Sequence, residues 1–285
     1  MSGLEVNNME YIFQKAHIKG FVPYALAAFL VGIVGGFVTS LGPAFVKDLN
    51  LPYNNTTWTA LAMAMSTAAF APVLGKLGDI IGRRTTLLIG IAIFTLGNVL
   101  TAIAPSLIFM LVARFIVGIG TAAIAPVVIA YIVTEFPSDK IAKGFSVYMF
   151  ISSISVIFGP TIGGLIIEYY GWRIMMWVCA AISAIIFILC LVINDNKAVQ
   201  RKKIEHFDIT GAVFVLIFFS LLLCVPSFGQ NFGWSSTPFL AVLLASFISG
   251  IGLVISEKRA VNPILQWSFI KRKAFILSVL ALFLT

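Results

Sequence analysis

Charged residues are scarce in this chain: 11% of its 285 residues are Asp, Glu, Lys or Arg, against about 25% in a typical soluble domain. It has two histidines and three cysteines, and the cysteines lie inside apolar runs. These residues offer neither a disulfide framework nor a zinc-ligand spacing, so we expect no metal and no cofactor. Hydrophobic residues make up 60% of the chain, and the mean hydropathy is +1.04. The composition therefore disfavours a soluble enzyme, a nucleic-acid-binding module and a disordered chain.

Long apolar runs take the place of the missing charges. A helix needs about 20 predominantly apolar residues to cross the hydrocarbon layer, and lipid cannot satisfy backbone groups outside a helix or a closed barrel. The sequence contains nine such runs, of which eight are complete and the ninth begins at Ala274 and continues to Thr285. The sequence therefore predicts an all-α integral membrane protein. The eight complete runs are Phe21–Val46, Trp58–Leu74, Thr85–Ala104, Leu107–Val133, Gly144–Ile167, Met175–Ile193, Ile209–Phe228 and Phe239–Ile255.

Basic residues are concentrated in alternate connections between these runs. If the N-terminus lies inside, the inner segments hold 16 Lys and Arg, whereas the outer segments hold only Lys47 and Arg173. This distribution predicts a cytoplasmic N-terminus. We expect the protein in a cell membrane, with the bacterial inner membrane as the expected case. It also accounts for the net charge of +8 without a nucleic-acid partner, because anionic lipid of the inner leaflet attracts the same residues.

The connection between the second and third runs is short and rich in glycine. Its sequence is Gly75-Lys76-Leu77-Gly78-Asp79-Ile80-Ile81-Gly82-Arg83-Arg84. Glycines allow close approach of helix ends and a turn with positive φ. Asp79 can accept hydrogen bonds from a helix N-terminus or from an arginine. A generic tight loop that obeys the positive-inside rule accounts for the stretch equally well.

Two of the runs contain unusual residues. Arg114 lies in the fourth run, where an arginine costs about 2.5 kcal/mol or more at a helix centre. It either snorkels to the outer interface or has a function. Gly118 lies one turn away on the same face, as small residues do where helices pack closely. In the fifth run, Gly159 and Gly163 form part of a smooth ridge for a partner helix, and Pro160 removes a backbone donor and favours a kink.

These patterns resemble the signature motifs of the major facilitator superfamily. The first is its Gly-x-Leu-x-Asp-x-x-Gly-Arg-Arg/Lys loop between the second and third helices. In that family the aspartate and the basic residues form an ion-pair latch on the cytoplasmic side. The positions that match this gating loop are Gly75, Leu77, Asp79, Gly82, Arg83 and Arg84.

Two further motifs of the same family follow in order. The stretch from Arg114 through Gly118 to Gly120 resembles Arg-x-x-x-Gly-x-Gly, in which the arginine is tied to proton coupling. The second stretch resembles Gly-Pro-x-x-Gly-Gly, which is characteristic of antiporters in the family, mainly drug exporters. Its matching positions are Gly159, Pro160, Gly163 and Gly164.

The layout of the runs resembles the 14-helix drug:proton antiporter branch, which inserts two helices between its six-helix halves. In that family the substrate cavity lies between the two halves. The resemblance therefore implies that this chain is an incomplete portion that needs a C-terminal half to function. The implied organisation is an N-terminus (1–20), a six-helix half (21–193), a basic linker (194–208), an inserted pair (209–255), a basic loop (256–273) and a truncated ninth helix (274–285).

One departure from the branch leaves the function partly open. Its members usually carry an aspartate nine residues before a proline in the first helix, and counting back from Pro43 gives Val34. The resemblance implies a secondary active transporter that exports small amphiphilic molecules in exchange for protons. The missing acid favours the alternative, a facilitator or symporter for a small metabolite. We assign no catalytic residue, because no span contains a His or an interior Asp and a membrane enzyme is disfavoured.

Overall fold

Helices satisfy their own backbone hydrogen bonds, and the apolar runs have no other way to do so in lipid. The computed structural model describes residues 3–49, 56–193, 208–260 and 263–264. Every regular element in these ranges is a helix, and eight helices contain a section long and apolar enough to cross a membrane, which confirms the predicted fold class. The helices are α1 (Gly3–Leu49), α2 (Thr56–Ile81), α3 (Arg83–Ala102), α4 (Leu107–Glu135), α5 (Ile141–Tyr170), α6 (Trp172–Val192), α7 (Ile209–Phe232) and α8 (Thr237–Arg259).

Helices α1 to α6 belong to one compact unit, and α4 is its central helix. It contacts α1, α2, α3 and α5, and 61% of its most apolar section is buried, more than in any other candidate span of the described residues. The most extensive contacts join α1 with α5, α2 with α4, and α3 with both α4 and α6. The largest buried apolar side chains include Phe37, Phe94, Met110 and Met176. A cluster of large apolar side chains thus fills the space around α4.

The first helix is longer than the first apolar run. It begins at Gly3 and ends at Leu49, whereas its span-like section is Gly20–Val38. The segment ahead of the first span, predicted as an N-terminal tail of 20 residues, is therefore helical from Gly3 onward and continuous with that span.

Helix α2 also extends further than predicted, through most of the glycine-rich connection. The second apolar run ends at Leu74, but α2 ends at Ile81, so Gly82 alone separates it from α3. Packing against α4 explains the extension. A Cβ on Gly75 would lie 3.4 Å from Cβ of Pro126, and a Cβ on Gly78 would lie 3.4 Å from Cγ2 of Val127. Glycine therefore keeps this end of α2 close to α4, and that contact outweighs its weak helix propensity.

The chain reverses at Gly82, which has a φ of 96° and a ψ of 145°. Residues with a side chain rarely adopt this conformation, so the turn requires glycine. The backbone N–H and the hydroxyl of Thr86 donate to the carbonyl of Gly82 at 3.0 and 3.1 Å, which closes the first turn of α3. A single residue with a positive φ therefore connects the end of α2 to the start of α3.

The second compact unit contains the hairpin of α7 and α8. Asp208 caps α7 by accepting a 2.8 Å hydrogen bond from the N–H of Gly211, and Ser236 caps α8 by accepting from the N–H of Phe239 at 3.3 Å. The aromatic rings of α7 pack against small residues of α8. One such contact places Phe218 where a Cβ on Gly250 would lie 2.9 Å from the ring.

Three predicted segments fall largely beyond the structural description. Most of the basic linker (194–207), most of the basic loop after Ala260 and the truncated ninth helix (274–285) lie outside the described residues.

Candidate functional site

The glycine ridge of α5 lies directly on α1. A Cβ on Gly159 would lie 2.7 Å from the carbonyl oxygen of Ile33 and 2.8 Å from Cα of Gly36. In the other direction, a Cβ on Gly36 would lie 2.9 Å from Cα of Gly159. Real Cβ atoms do not approach backbone so closely, so the two helices touch at their backbones here. Gly163 belongs to the same contact, where a Cβ would lie 2.7 Å from Cγ of Phe37.

Pro160 and Gly164 complete the fifth-helix motif but differ from its other residues. The ring of Pro160 borders the same contact, since its Cδ lies 3.0 Å from the Cβ position of Gly36. Gly164 has room, because a Cβ there would meet only Oγ of Ser40 at 3.8 Å. The motif therefore combines three residues at the α1 contact with one that tolerates a side chain.

The glycines of the fourth-helix motif let α4 approach two neighbours. Gly118 faces α2, where a Cβ would overlap the hydroxyl of Ser66 and the carbonyl of Met63. Gly120 faces α3, where a Cβ would lie 2.6 Å from Cα of Phe94. The hydroxyl of Thr67 also donates to the carbonyl of Gly118 at 3.2 Å. Helix α4 is thus held between α2 and α3 by contacts that exclude side chains.

Arg114 is buried in the interior of this packing, with 1% of its surface exposed. Its side chain does not snorkel to the interface. Within the described residues, Nε and Nη1 have no hydrogen-bond partner. Arg114 also forms no ion pair with a carboxylate of these residues. A buried guanidinium in this position is costly, and such charges in membrane proteins generally mark functional sites.

Asn98 of α3 is a second buried polar residue, and the sequence interpretation missed it. The residue is completely buried, and its Nδ2 donates to the carbonyl of Phe94 at 2.8 Å. Its Oδ1 has no partner in the described residues. The available signal was a carboxamide in the middle of an otherwise apolar run, since buried amides are expected to have partners for both of their polar atoms.

Two arginines of the predicted gating loop donate hydrogen bonds to the C-terminal ends of α4 and α6, on the side of the bundle where Gly82 lies. The guanidinium of Arg84 donates to the carbonyl of Cys190 at 2.8 Å and to that of Leu191 at 3.0 Å, in the last turn of α6. Positive charge is favourable at a helix C-terminus. Arg83 donates through Nη1 to the hydroxyl of Thr134, near the end of α4. The start of α3 is thereby tied to the ends of α4 and α6.

The remaining loop residues behave differently from the arginines. Leu77 packs against the small buried cluster that contains Ala122 and Ala123. Asp79 is exposed, and within the described part of the chain it makes neither a hydrogen bond nor an ion pair. The ion pair between Asp79 and Arg83 that the resemblance implies is therefore not formed in this structure, because Arg83 turns to α4 instead.

A polar cluster that the sequence interpretation did not predict lies at the opposite side, where α1 ends and α6 begins. Asp48 accepts a 3.1 Å hydrogen bond from Nε1 of Trp172 and forms an ion pair with Arg173. The guanidinium of Arg173 lies 4.3 Å from the centre of the Trp172 ring, an arrangement typical of a cation–π contact. Its Nη2 also donates to the carbonyl of Ala104 at 3.4 Å. This cluster joins the ends of α1 and α6 to the turn after α3.

Replacing Arg84 with Met is expected to destabilise the unit of α1 to α6 by about 1–2 kcal/mol, because the last carbonyls of α6 lose a charged donor. Thermal unfolding of the detergent-solubilised protein, followed by circular dichroism, measures the effect. Lys143→Met is the matched control, since Lys143 is an exposed cation on α5. Equal unfolding temperatures for the two variants would contradict the role assigned to Arg84.

Comparisons with known proteins agree with this architecture. The Major Facilitator Superfamily profile matches residues 24–285. The chain is 25% identical over 266 residues to the multidrug resistance protein Stp of Mycobacterium tuberculosis (strain CDC 1551 / Oshkosh), covering 93% of this chain and 49% of Stp. It is 28% identical over 254 residues to the multidrug transporter protein MdtP of Bacillus subtilis (strain 168), covering 88% and 46%.

A solved structure gives the same result for the fold. The POT family transporter PepTSo superposes with a TM-score of 0.56 at 16% identity, covering 88% of this chain and 55% of PepTSo. The chain spans about half the length of the curated relatives that it matches. The profile match, the three motifs and the superposition agree, and the chain belongs to the Major Facilitator Superfamily.

Proposed function

We propose that this protein is a secondary active transporter that exports small amphiphilic molecules in exchange for protons. Arg114 is the observation that carries the proposal, because it is a buried charge that forms no ion pair with a carboxylate of the described residues. Such a group is costly to bury in a membrane, and intramembrane charges of this kind mark substrate pathways and proton relays. The resemblance of the fifth-helix residues to the antiporter motif and the names of relatives such as Stp and MdtP support the direction of transport.

The proposed location is a cell membrane, the inner membrane in a bacterium, with the Gly82 side facing the cytoplasm. The support is the concentration of Lys and Arg in the alternate connections on that side. A cysteine introduced beside Arg83 should react with a membrane-impermeant thiol reagent only from the cytoplasmic side. A cysteine beside Arg173 should react only from the outside. Labelling of both positions from one compartment would contradict the orientation.

The proposed transport unit also includes a second helical half, because the matched relatives are about twice as long as this chain. In this arrangement the substrate cavity lies between the two halves, and transport proceeds as they rock against each other. Liposomes that contain only residues 1–285 are expected to show no saturable counterflow of substrate. Counterflow from this chain alone would remove the need for a second half.

Asp79 has a separate proposed role, as a latch on the cytoplasmic side. The carboxylate is exposed at the last turn of α2 and remains available to a basic partner or to a helix N-terminus when the transporter changes state. Asp79→Asn in the full-length protein is expected to lower the export rate about tenfold, within the usual range of coupling free energies. Asp139→Asn, at an exposed aspartate between α4 and α5, is the control. An unchanged export rate for Asp79→Asn would remove the latch.

A facilitator or a symporter for a small metabolite is the alternative function. It is favoured by the first helix, where Val34 occupies the position of the aspartate that exporters of the resembled branch usually carry. Valine has no ionisable group, so this position cannot bind or release a proton. Substrate movement that is insensitive to a protonophore would favour this alternative over the exporter.

Reconstitution of the full-length protein in liposomes tests the proposed function directly. An imposed pH gradient should drive accumulation of an amphiphilic fluorescent dye, and addition of the dye should in turn release protons across the membrane. Both fluxes are expected to stop when a protonophore collapses the gradient. Dye movement without proton movement would contradict an antiporter.

A further inference from the structure

Three buried polar atoms without partners lie close to one level of the α3–α4 contact. Within the described residues they are Oδ1 of Asn98 and Nε and Nη1 of Arg114. The first is an acceptor and the other two are donors. A buried polar group without a partner costs about 1–3 kcal/mol, and more when it is charged. Within the described part of the chain, Asn98 therefore lacks a hydrogen-bond donor for Oδ1, and Arg114 lacks hydrogen-bond acceptors for Nε and Nη1.

Close contacts between α3 and α4 fix the level of each residue along the two helices. A Cβ on Gly90 would lie 2.6 Å from Cβ of Ala123, and a Cβ on Gly97 would lie 2.6 Å from the backbone nitrogen of Val117. The two helices are antiparallel here, since seven residues forward along α3 correspond to six residues back along α4. Asn98, one residue after Gly97, therefore lies level with Ile116. Arg114 is two residues from Ile116, which is about 3 Å along the axis at a rise of 1.5 Å per residue.

We infer that Asn98 is the positioning residue of Arg114, its amide oxygen accepting a hydrogen bond from one water that in turn accepts from the guanidinium. The hydrogen bond from Nδ2 to the carbonyl of Phe94 holds the amide in place and keeps Oδ1 available as an acceptor. An acceptor held in this way stabilises a buried guanidinium without adding a second charge. Arg114 therefore does not need a carboxylate within this unit to remain charged.

This inference deepens the proposed function and rests on it for the role of Arg114 in coupling. Because the amide is neutral, it leaves the positive charge uncompensated, and the charge remains available to a protonatable or anionic partner. Cys179 of α6 is a titratable neighbour of Arg114 among the described residues.

A double-mutant cycle on the full-length protein in detergent tests the pairing. Asn98→Leu is expected to lower the melting temperature by about 5 °C in the wild-type background and to leave it unchanged in an Arg114→Met background. Asn98→Asp keeps the acceptor and adds a charge. It should be tolerated beside Arg114 and should lower the melting temperature by about 10 °C in the Arg114→Met background, where the new carboxylate is buried alone. Equal effects of either substitution in both backgrounds would overturn the inference.

Thr121→Val is the control for this cycle. Thr121 is a buried polar residue of α4 whose hydroxyl donates to the carbonyl of Val117, and its loss should be additive with Arg114→Met. If Asn98→Leu fails to fold, recovery of folded protein by the second change, Arg114→Met, supports the pairing, and failure to recover overturns it.

A transport assay distinguishes a positioning role of Asn98 from a purely structural one. Asn98→Asp is expected to shift the pH midpoint of proton-driven export by about one unit, because it places a carboxylate beside the guanidinium, whereas Thr121→Val should leave the midpoint in place. An unshifted midpoint in a folded Asn98→Asp protein would overturn the positioning role. Coupling in the melting temperatures of a protein that transports nothing would instead overturn the proposed function and leave the pairing intact.

Discussion

Gly159→Ala is expected to lower the free energy of unfolding of the unit of α1 to α6 by about 1–3 kcal/mol, the usual cost of overpacking. The added methyl would lie 2.7 Å from the carbonyl oxygen of Ile33 and 2.8 Å from Cα of Gly36. Both neighbours are backbone atoms, so no side-chain rotation can relieve the overlap, and α5 must move away from α1. Helix association in lipid depends on such close packing, because lipid is as apolar as the helix surfaces.

Two other glycines provide matched controls for this variant. Gly164→Ala lies in the same motif, but its new methyl would meet only Oγ of Ser40 at 3.8 Å, an ordinary contact. Gly35→Ala lies on α1 beside the contact and would meet no atom within 4 Å. Melting temperatures measured in detergent should fall for Gly159→Ala and should stay at the wild-type value or rise slightly for both controls, because alanine is the better helix former. A fall of equal size in Gly164→Ala would show that the loss does not come from the contact of α5 with α1.

The helices could be predicted from the sequence because lipid leaves the apolar runs no other way to satisfy their backbones. The membrane-spanning section of α4 is a clear case, since the run predicted from Leu107 to Val133 lies within the helix Leu107–Glu135. The close packing of Gly118 and Gly159 was indicated by spacing, because residues four apart share one face of a helix. Periodicity thus identified which faces contact a neighbour, and the structure identified the neighbour.

The end of α2 could not be predicted, because local propensity and tertiary packing disagree there. Gly75, Gly78 and Gly82 favour a loop by composition, yet two of them lie inside the helix and face α4. Which glycine breaks the helix depends on the room beside each of them, and only the partner helix determines this. The same reason explains why the sequence did not indicate that Arg84 caps α6, an element 106 residues away along the chain.

The polar contacts between distant residues could not be predicted from the sequence either. Asp48 and Trp172 lie 124 residues apart, and their hydrogen bond depends on α6 starting where α1 ends. Asn98 was overlooked because a single amide in an apolar run is compatible with a satisfied structural residue. Its significance depends on Arg114 lying at the same level of the neighbouring helix, which only the register of α3 on α4 reveals.

Arg114→Met is expected to reduce proton-driven export by about 5- to 150-fold while leaving the protein as stable as the wild type or more so. The guanidinium is almost fully buried and forms no ion pair with a carboxylate of the described residues, so an apolar side chain of similar length relieves the cost of burying a charge. Export by reconstituted protein under an imposed pH gradient and the melting temperature in detergent are measured on the same preparation. A loss of both activity and stability would indicate that Arg114 only supports the packing of α4.

Arg114→Lys distinguishes a need for charge from a need for the guanidinium. Lysine keeps one positive charge but lacks the planar set of donors, so it should retain partial export and respond to pH at a different midpoint. Full activity in Arg114→Met would contradict any coupling role, whereas activity in Arg114→Lys alone would assign the role to the charge. Because a buried charge without a carboxylate destabilises the helices around it, a stable but inactive Arg114→Met protein would mean that the transporter tolerates this cost for the sake of coupling.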